Sequence, residues 1–300
     1  MRRIEAVNDF VIKFANVNGS GSASANELLA KAILRMGVPV SPRNIFPSNI
    51  QGLPTWYEVR VSERSYLGRR GGIDLMVAMN PQTWDADLAE IEPGGYLFYD
   101  NTKPLPAERF RDDVHVIGMP LTDICNASYS DPRQRQLFKN IIYIGALSVL
   151  LEIDHEVIEK LFGEQFKGKE KLLGSNVRAL HLGREFVTEH LKAPLGIRVR
   201  RSNRVGDRIF IDGNSATALG CVYGGATVAA WYPITPSSSV AEAFVHYCGK
   251  YRVDKQTDRN DYAVVQAEDE IASIGIVVGA GWNGARAFTA TSGPGVSLMT

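Results

Sequence analysis

The chain has 300 residues, a formal net charge of zero and 45% hydrophobic residues. That length suits about two domains, and zero net charge excludes a dominant electrostatic pull on nucleic acid or anionic lipid. No run of about 18 apolar residues occurs, so no membrane-spanning segment is expected. Basic residues follow Met1 with no apolar stretch behind them, so no signal peptide is read. Cys125, Cys221 and Cys248 are scattered and odd in number, which fits a reducing, cytoplasmic compartment. No CxxC occurs, so the chain by itself is not expected to hold an iron–sulfur cluster or structural zinc.

In chain order, Asp9–Asn16 reads as a buried strand, with Phe10, Val11, Ile12 and Phe14 as β-formers. The turn Asn18-Gly19-Ser20-Gly21-Ser22 follows. Ser24 then reads as the cap of a helix running to Met36, with Leu28, Leu29, Ala32 and Ile33 on one face. Strand, glycine-rich loop and helix open a nucleotide-binding βα unit. Ser24 replaces the third glycine of that motif, and the later stretch Ile45–Ile50 offers no acidic residue to read a ribose. A ligand loop and a plain tight turn both stay open.

Trp56–Ser62 alternates like a half-exposed strand. Ile73–Ala78, Gly95–Tyr99 and Val114–Met119 read as short strands. Asn140–Leu151 and Glu156–Phe162 read as helices separated by a capping Asp154, and Ser175–Leu191 as a third. These elements make a first domain over 5–192. A linker over 193–212 carries Arg198, Arg200, Arg201, Arg204 and Arg208. Those arginines suit a phosphate-bearing ligand, or a solvated joint or subunit seam.

A second domain over 213–300 opens with a small-residue helix, Ser215–Ala226, of the kind kept where another backbone comes close. Val228–Tyr232 is a strand. Thr235 precedes Pro236, which suits a first helical position, so Thr235 reads as an N-cap. With the hydroxyls of Ser237 and Ser238 this is either a ligand-free cap or an anion site fit for a carboxylate. Val264–Val265 end a strand before three carboxylates, Glu268, Asp269 and Glu270, at a helix start. Ile271, Ile274, Gly275, Val278 and Gly279 continue that helix. These carboxylates are either an acidic cap or the kind of group that activates a thiamine cofactor from a dry pocket, where burial raises a carboxyl pKa. Ala287–Ala290 is a strand, and Thr291-Ser292-Gly293-Pro294-Gly295 is the turn at its end. Ligands of open α/β sheets sit at such carboxyl ends.

Gly213-Asn214 with its small helix, Tyr232-Pro233-Ile234-Thr235-Pro236-Ser237-Ser238, Glu268-Asp269-Glu270 with Gly279, and Phe288-Thr289-Ala290-Thr291-Ser292-Gly293-Pro294-Gly295 together resemble a known family. The chain is similar to the α subunit of 2-oxoacid:ferredoxin oxidoreductases, in the form with a γ-type domain fused N-terminally. The resemblance implies an α/β fold: a Rossmann-like γ domain, then the start of a thiamine-diphosphate (pyrimidine-binding) domain with a parallel sheet, in a chain nearer twice this length. It implies that Thr235, with Ser237 and Ser238, binds the 2-oxoacid. It makes Glu270 the activating glutamate, preferred to Glu268 because the family places that residue about nine positions before a glycine, here Gly279. Ser292, Gly293 and Gly295 would line the cofactor. It further implies coenzyme A as co-substrate, 2-oxoglutarate as the first choice of oxoacid ahead of pyruvate, branched-chain and indolic oxoacids, and ferredoxin as electron acceptor. A β subunit would carry the diphosphate, Mg2+ and a 4Fe–4S cluster in an α2β2 assembly. The competing readings are a non-catalytic nucleotide- or coenzyme-A-binding protein, and a structural subunit.

Overall fold

A computed structural model of the chain describes residues 3–46 and 51–300. Of the stretch Ile45–Ile50, residues 47–50 lie outside the described residues. The chain forms two compact units, one ending at Arg208 and the other spanning Ile209–Thr300.

The first unit runs β1 (Ala6–Val7), β2 (Asp9–Val17), α1 (Ser22–Arg35), β3 (Val40–Ile45), β4 (Pro54–Ser62), β5 (Ile73–Ala78), α2 (Trp84–Ala89), β6 (Ile91–Asp100) and β7 (His115–Met119). Four helices follow, α3 (Leu121–Ser128), α4 (Pro132–Leu150), α5 (His155–Gln165) and α6 (Glu170–His190), and then β8 (Ile197–Arg198). Six strands make one sheet in the order β3-β4-β2-β5-β6-β7. The β2, β5, β6 and β7 strands are mutually parallel, while β3 and β4 form an antiparallel hairpin set against β2. The sheet is therefore mixed at one edge.

Strand alternation divides β2 between two layers. Phe10, Ile12 and Phe14 are fully buried, with Phe14 6.0 Å from the Tyr143 ring of α4. Val11 and Ala15 join Met76, Leu97, Trp84 and Leu88 in the core on the α2 side. Lys13 lies on that second side too, donating to Glu90 Oε1 at 2.8 Å and standing over the Trp56 ring. The β4 strand corrects its half-exposed reading. It lies between β3 and β2, Tyr57–Ser62 are all buried, and two nitrogens of the Arg60 guanidinium donate to Phe10 O at 3.2 Å and to the Asp9 carboxylate, while its Nε has no partner among the described residues. An alternating pattern could not show that its polar half is covered as well.

Several helix starts in the first unit differ from the expected ones. The first helix begins at Ser22, capped by Gly21 without a side-chain bond, so Ser24 lies inside it. The fourth begins at Pro132, where the Asp131 carboxylate accepts from the Arg133 N–H at 2.8 Å. Asp154 holds its expected cap position, but its side chain makes no cap bond and pairs with Arg201 at 2.5 Å instead. Helices α4 and α6 cross backbone to backbone. A Cβ on Gly145 would collide with Leu180 O, and one on Gly183 with Ile142 O.

Residues 193–208 lie in the first unit. Leu195, Ile197 and Val199 are buried, and β8 pairs in parallel with β1.

The second unit runs α7 (Gly213–Tyr223), β9 (Val228–Trp231), α8 (Ser238–Tyr251), a hairpin of β10 (Val253–Asp254) and β11 (Arg259–Asn260), β12 (Ala263–Gln266), α9 (Glu270–Trp282), β13 (Ala287–Phe288) and α10 (Pro294–Leu298). Its sheet is all parallel in the order β12-β9-β13. The core joins Ala218 and Val222 of α7, Val240, Phe244 and Cys248 of α8, and Ala229 of β9. Helix α7 starts two residues earlier than expected because Asp212 caps it, accepting from the Ser215 N–H at 2.9 Å. It stops at Tyr223 because Gly225, at φ +83°, turns the chain back. No backbone approaches its Gly220, beside which the space is open.

Candidate functional site

Because β12, β9 and β13 are parallel and in register from Ala263, Val228 and Ala287, their carboxyl ends share one edge. The segments beyond those ends are 232–239, 267–270 and 289–295. The α8 crossover carries the chain from β9 to one side, and the α9 crossover carries it back across β9 to the other. Right-handed crossovers place two such helices on opposite faces and open a crevice at the central strand's end.

After β9 the chain makes a tight turn. The Thr235–Pro236 peptide is cis, and α8 starts at Ser238 with Ser237 at the N-cap position. This corrects the reading of Thr235 as N-cap. The serine hydroxyls explain the shift. Ser237 Oγ donates to Ile234 O at 3.1 Å, and Ser238 Oγ accepts from the Ile234 N–H at 3.0 Å. The turn thereby closes on itself before the helix begins. Ser237 is buried, whereas Thr235 is exposed. Asn214, in the first turn of α7, ties the turn down by donating to Pro236 O at 2.9 Å and to Ser239 Oγ at 2.7 Å.

After β12 the three carboxylates take three different places. Asp269 is the α9 N-cap, its Oδ1 accepting from the Ala272 N–H at 2.6 Å. Glu268 is exposed. Glu270 is half-buried in the first turn of α9 and reaches the turn after β13. A Cβ placed on Gly295 would stand 2.9 Å from both Cγ and Oε1 of Glu270, and would overlap Thr291 Oγ1. Only a glycine fits beneath these two side chains. Thr291 Oγ1 is buried and has no hydrogen-bond partner among the described residues. Ser292 is half-buried. Gly293 is exposed with φ +61°, which favours glycine.

The structure thus brings Glu270 and Gly295 into contact and sets the Thr235–Ser239 turn at the end of the adjacent strand. Sequence reasoning did not single out Thr291 or Asn214 for a role of its own. The signal for Asn214 is its place one residue inside a helix start, opposite a serine-rich turn.

Past Glu270, α9 turns Ile271, Val278 and Trp282 outward, and Trp282 is 90% exposed. Among the described residues no group of three or more His, Cys, Asp or Glu side chains is placed to hold a metal ion. Burial pushes the Cys125 thiol up to about 11 and raises Cys221 and Cys248 as well. Among the described residues no helix is long and apolar enough to cross a membrane. Four of the five arginines of 193–208 have local partners: Arg201 pairs with Asp154, Arg200 and Arg204 lie 3.9 Å from Glu152 and Glu63, and Arg208 donates to Ser65 Oγ at 3.1 Å, whereas Arg198 Nε is buried without a partner among the described residues.

Comparison with known proteins gives two family matches. Residues 11–186 match the model described as pyruvate ferredoxin/flavodoxin oxidoreductase. Residues 219–300 match that described as pyruvate flavodoxin/ferredoxin oxidoreductase, thiamine-diphosphate-binding. The chain is 28% identical to the 2-oxoacid:ferredoxin oxidoreductase 2 α subunit of Aeropyrum pernix, over 97% of this chain and 52% of that protein. It is 44% identical to the 2-oxoglutarate synthase subunit KorA of Methanocaldococcus jannaschii over 90 residues, which is 30% of this chain and 22% of that protein. Among solved structures it is similar to 2-oxoglutarate:ferredoxin oxidoreductase from Magnetococcus marinus with 2-oxoglutarate, coenzyme A and succinyl-CoA bound. That match has a TM-score of 0.81 at 31% identity, over 97% of this chain and 49% of that one. The chain spans about half the length of the A. pernix and M. marinus chains.

Proposed function

The chain belongs to the pyruvate ferredoxin/flavodoxin oxidoreductase family, and on that premise we propose that it supplies the pyrimidine-facing half of a thiamine-diphosphate site in a 2-oxoacid:ferredoxin oxidoreductase. In the reaction, a 2-oxoacid, coenzyme A and two oxidised ferredoxins give acyl-CoA, carbon dioxide, a proton and two singly reduced ferredoxins. The names of the relatives and the bound ligands of the M. marinus structure support 2-oxoglutarate as the oxoacid. The domain division proposed is a γ-type first domain, the arginine-bearing joint, and a pyrimidine-binding second domain. A β subunit would contribute the diphosphate and Mg2+ site and the 4Fe–4S cluster, in an α2β2 assembly working in the cytoplasm. The outward apolar side of α9 suits such a subunit boundary.

One observation carries this reading: parallel strand ends set a carboxylate, Glu270, against the bare backbone of Gly295. The residues fit the cofactor. Glu270 offers a carboxylate to the aminopyrimidine ring nitrogen, Gly293 leaves open space for a ring edge, and Gly295 makes room for the Glu270 side chain itself. When bound, thiamine diphosphate supplies the nucleophilic carbon that attacks the oxo carbon and accepts the electron pair released with carbon dioxide.

The chain's own residues then have distinct tasks. Glu270 shares a proton with the ring nitrogen and so sets the tautomer of the ring. Thr235, exposed at the neighbouring strand end, donates to the carboxylate or oxo oxygen of the substrate. Ser237 and Ser238 hold that turn in shape through Ile234, and Ser292 lines the reacting end. A second reading gives the ring-facing role to Glu268, because it is the carboxylate left exposed beside the capping Asp269. The substrate assignment is tested by reconstituting the full α subunit with its β partner and comparing kcat/KM for 2-oxoglutarate with pyruvate, branched-chain and indolic oxoacids. Clear preference for 2-oxoglutarate is expected, and preference for a rival overturns that part of the proposal.

A further inference from the structure

Thr291 ends the segment after β13 with a hydroxyl that is buried and unpartnered among the described residues. A buried hydroxyl without a partner is destabilising compared with a methyl of the same shape, so valine would suit a purely packing role at this position better. The hydroxyl does not stand alone. It flanks the point above Gly295 that Glu270 Oε1 approaches to 2.9 Å. Gly295 has no Cβ, so the hydroxyl and the carboxylate can face each other across it, and rotation about the Glu270 side-chain bonds brings them into hydrogen-bonding range.

We propose that Thr291 is a positioning residue for Glu270: in the assembled enzyme its hydroxyl donates to the Glu270 carboxylate and fixes which oxygen faces the crevice. This rests on the role given to Glu270 above. A hydroxyl bonded to one carboxylate oxygen leaves the other oriented for the ring. The chain thereby sets the acceptor geometry before any ligand enters.

The test uses the full α subunit assembled with its β partner, with Thr291→Val, Thr291→Ser, Glu270→Gln and the Glu270→Gln/Thr291→Val double variant. Two quantities are read: steady-state turnover, and the affinity of the cofactor-free complex for thiamine diphosphate from quenching of intrinsic fluorescence. Thr291→Val is expected to lower kcat about tenfold with the KM for the oxoacid little changed, and to weaken cofactor binding severalfold. Its thermal midpoint in the assembled enzyme should fall only slightly, because one hydrogen bond is lost while the side-chain volume is kept. Thr291→Ser should recover most of both losses. In the Glu270→Gln background Thr291→Val should add no further loss of cofactor affinity.

Wild-type behaviour of Thr291→Val, failure of serine to rescue, or an undiminished second loss in the Glu270→Gln background overturns the inference while leaving the role of Glu270 intact. Full activity and unchanged cofactor affinity in Glu270→Gln alone overturn the parent reading, and this inference with it. Should the valine variant not assemble, Thr291→Ala carries the same comparison, with the same outcomes deciding.

Discussion

Adding one methyl group at Gly295 probes the packing beneath the crevice. Gly295→Ala places a carbon onto Thr291 Oγ1 and 2.9 Å from Cγ and Oε1 of Glu270. Gly295 is buried, and its φ lies outside the left-handed range, so alanine is allowed by the backbone and the effect is steric. Thr291 is stiff at χ1, so the displacement falls on the Glu270 side chain, of which only the backbone is fixed by the first turn of α9. Overpacking of this kind costs about 1–3 kcal/mol, offset by up to about 1 kcal/mol from replacing glycine in a helix. The net loss of stability is therefore about 0–3 kcal/mol. Turnover is more sensitive, because moving the carboxylate by a fraction of an ångström costs about 10- to 100-fold in kcat. A matched control is Gly174→Ala in α6, beside which the space is open; it should leave turnover unchanged and gain about 0.5–1 kcal/mol. Steady-state kinetics and thermal unfolding of the two variants in the assembled enzyme decide the matter. Equal turnover in both would refute the packing argument for the Glu270–Gly295 contact.

Further variants probe the rest of the chain. Gly183→Ala drives a methyl into the carbonyl of Ile142 on α4; since a backbone atom stands in the way, a loss of about 1–3 kcal/mol is expected from chemical denaturation. Asn214→Ala removes both bonds from α7 to the turn after β9, and should raise the oxoacid KM severalfold while circular dichroism stays native. Asp100 gives a pH dependence. Burial alone would raise its carboxyl, but bonds to Lys139 and Thr122 outweigh it and hold the group below the usual range. With the folded value depressed, its stabilisation is full above the unfolded value near 4 and is lost as pH falls through the lower folded value. Asp100→Asn should therefore flatten the acid side of the stability profile below about pH 4, and an unchanged acid limb would exclude this pair as its source.

The parts legible in the sequence were those fixed by local chemistry. Val228–Tyr232 and Val264–Val265 are β-forming runs followed by helix-start signals, which is enough to order three strand ends. The acidic helix start at Glu268-Asp269-Glu270 was legible for the same reason, though not that Asp269 is its cap, nor that the turn read over Thr291–Gly295 passes into helix α10 at Pro294. Long-range pairing hid the rest. Glu58 and Arg60 gave β4 the alternation of an exposed strand, because nothing local shows that β3 and β2 flank it. The polar first turns of α4 masked its true start at Asp131-Pro132, where the cap signal was present but the apolar face had not begun. At Thr235 a proline rule pointed to a cap, whereas the serines that follow spend their hydroxyls on Ile234 and delay the helix. The Thr291–Gly295–Glu270 contact joins two segments a strand apart, so no spacing rule could reveal it.

The most direct measurement is thiamine-dependent decarboxylation by the reconstituted complex carrying Glu270→Gln, with Glu268→Gln beside it. A loss of about 100-fold or more in kcat for Glu270→Gln, with subunit assembly intact and Glu268→Gln near wild type, is the predicted result. Undiminished turnover in Glu270→Gln contradicts the account, and a collapse confined to Glu268→Gln moves the ring-facing role to that residue.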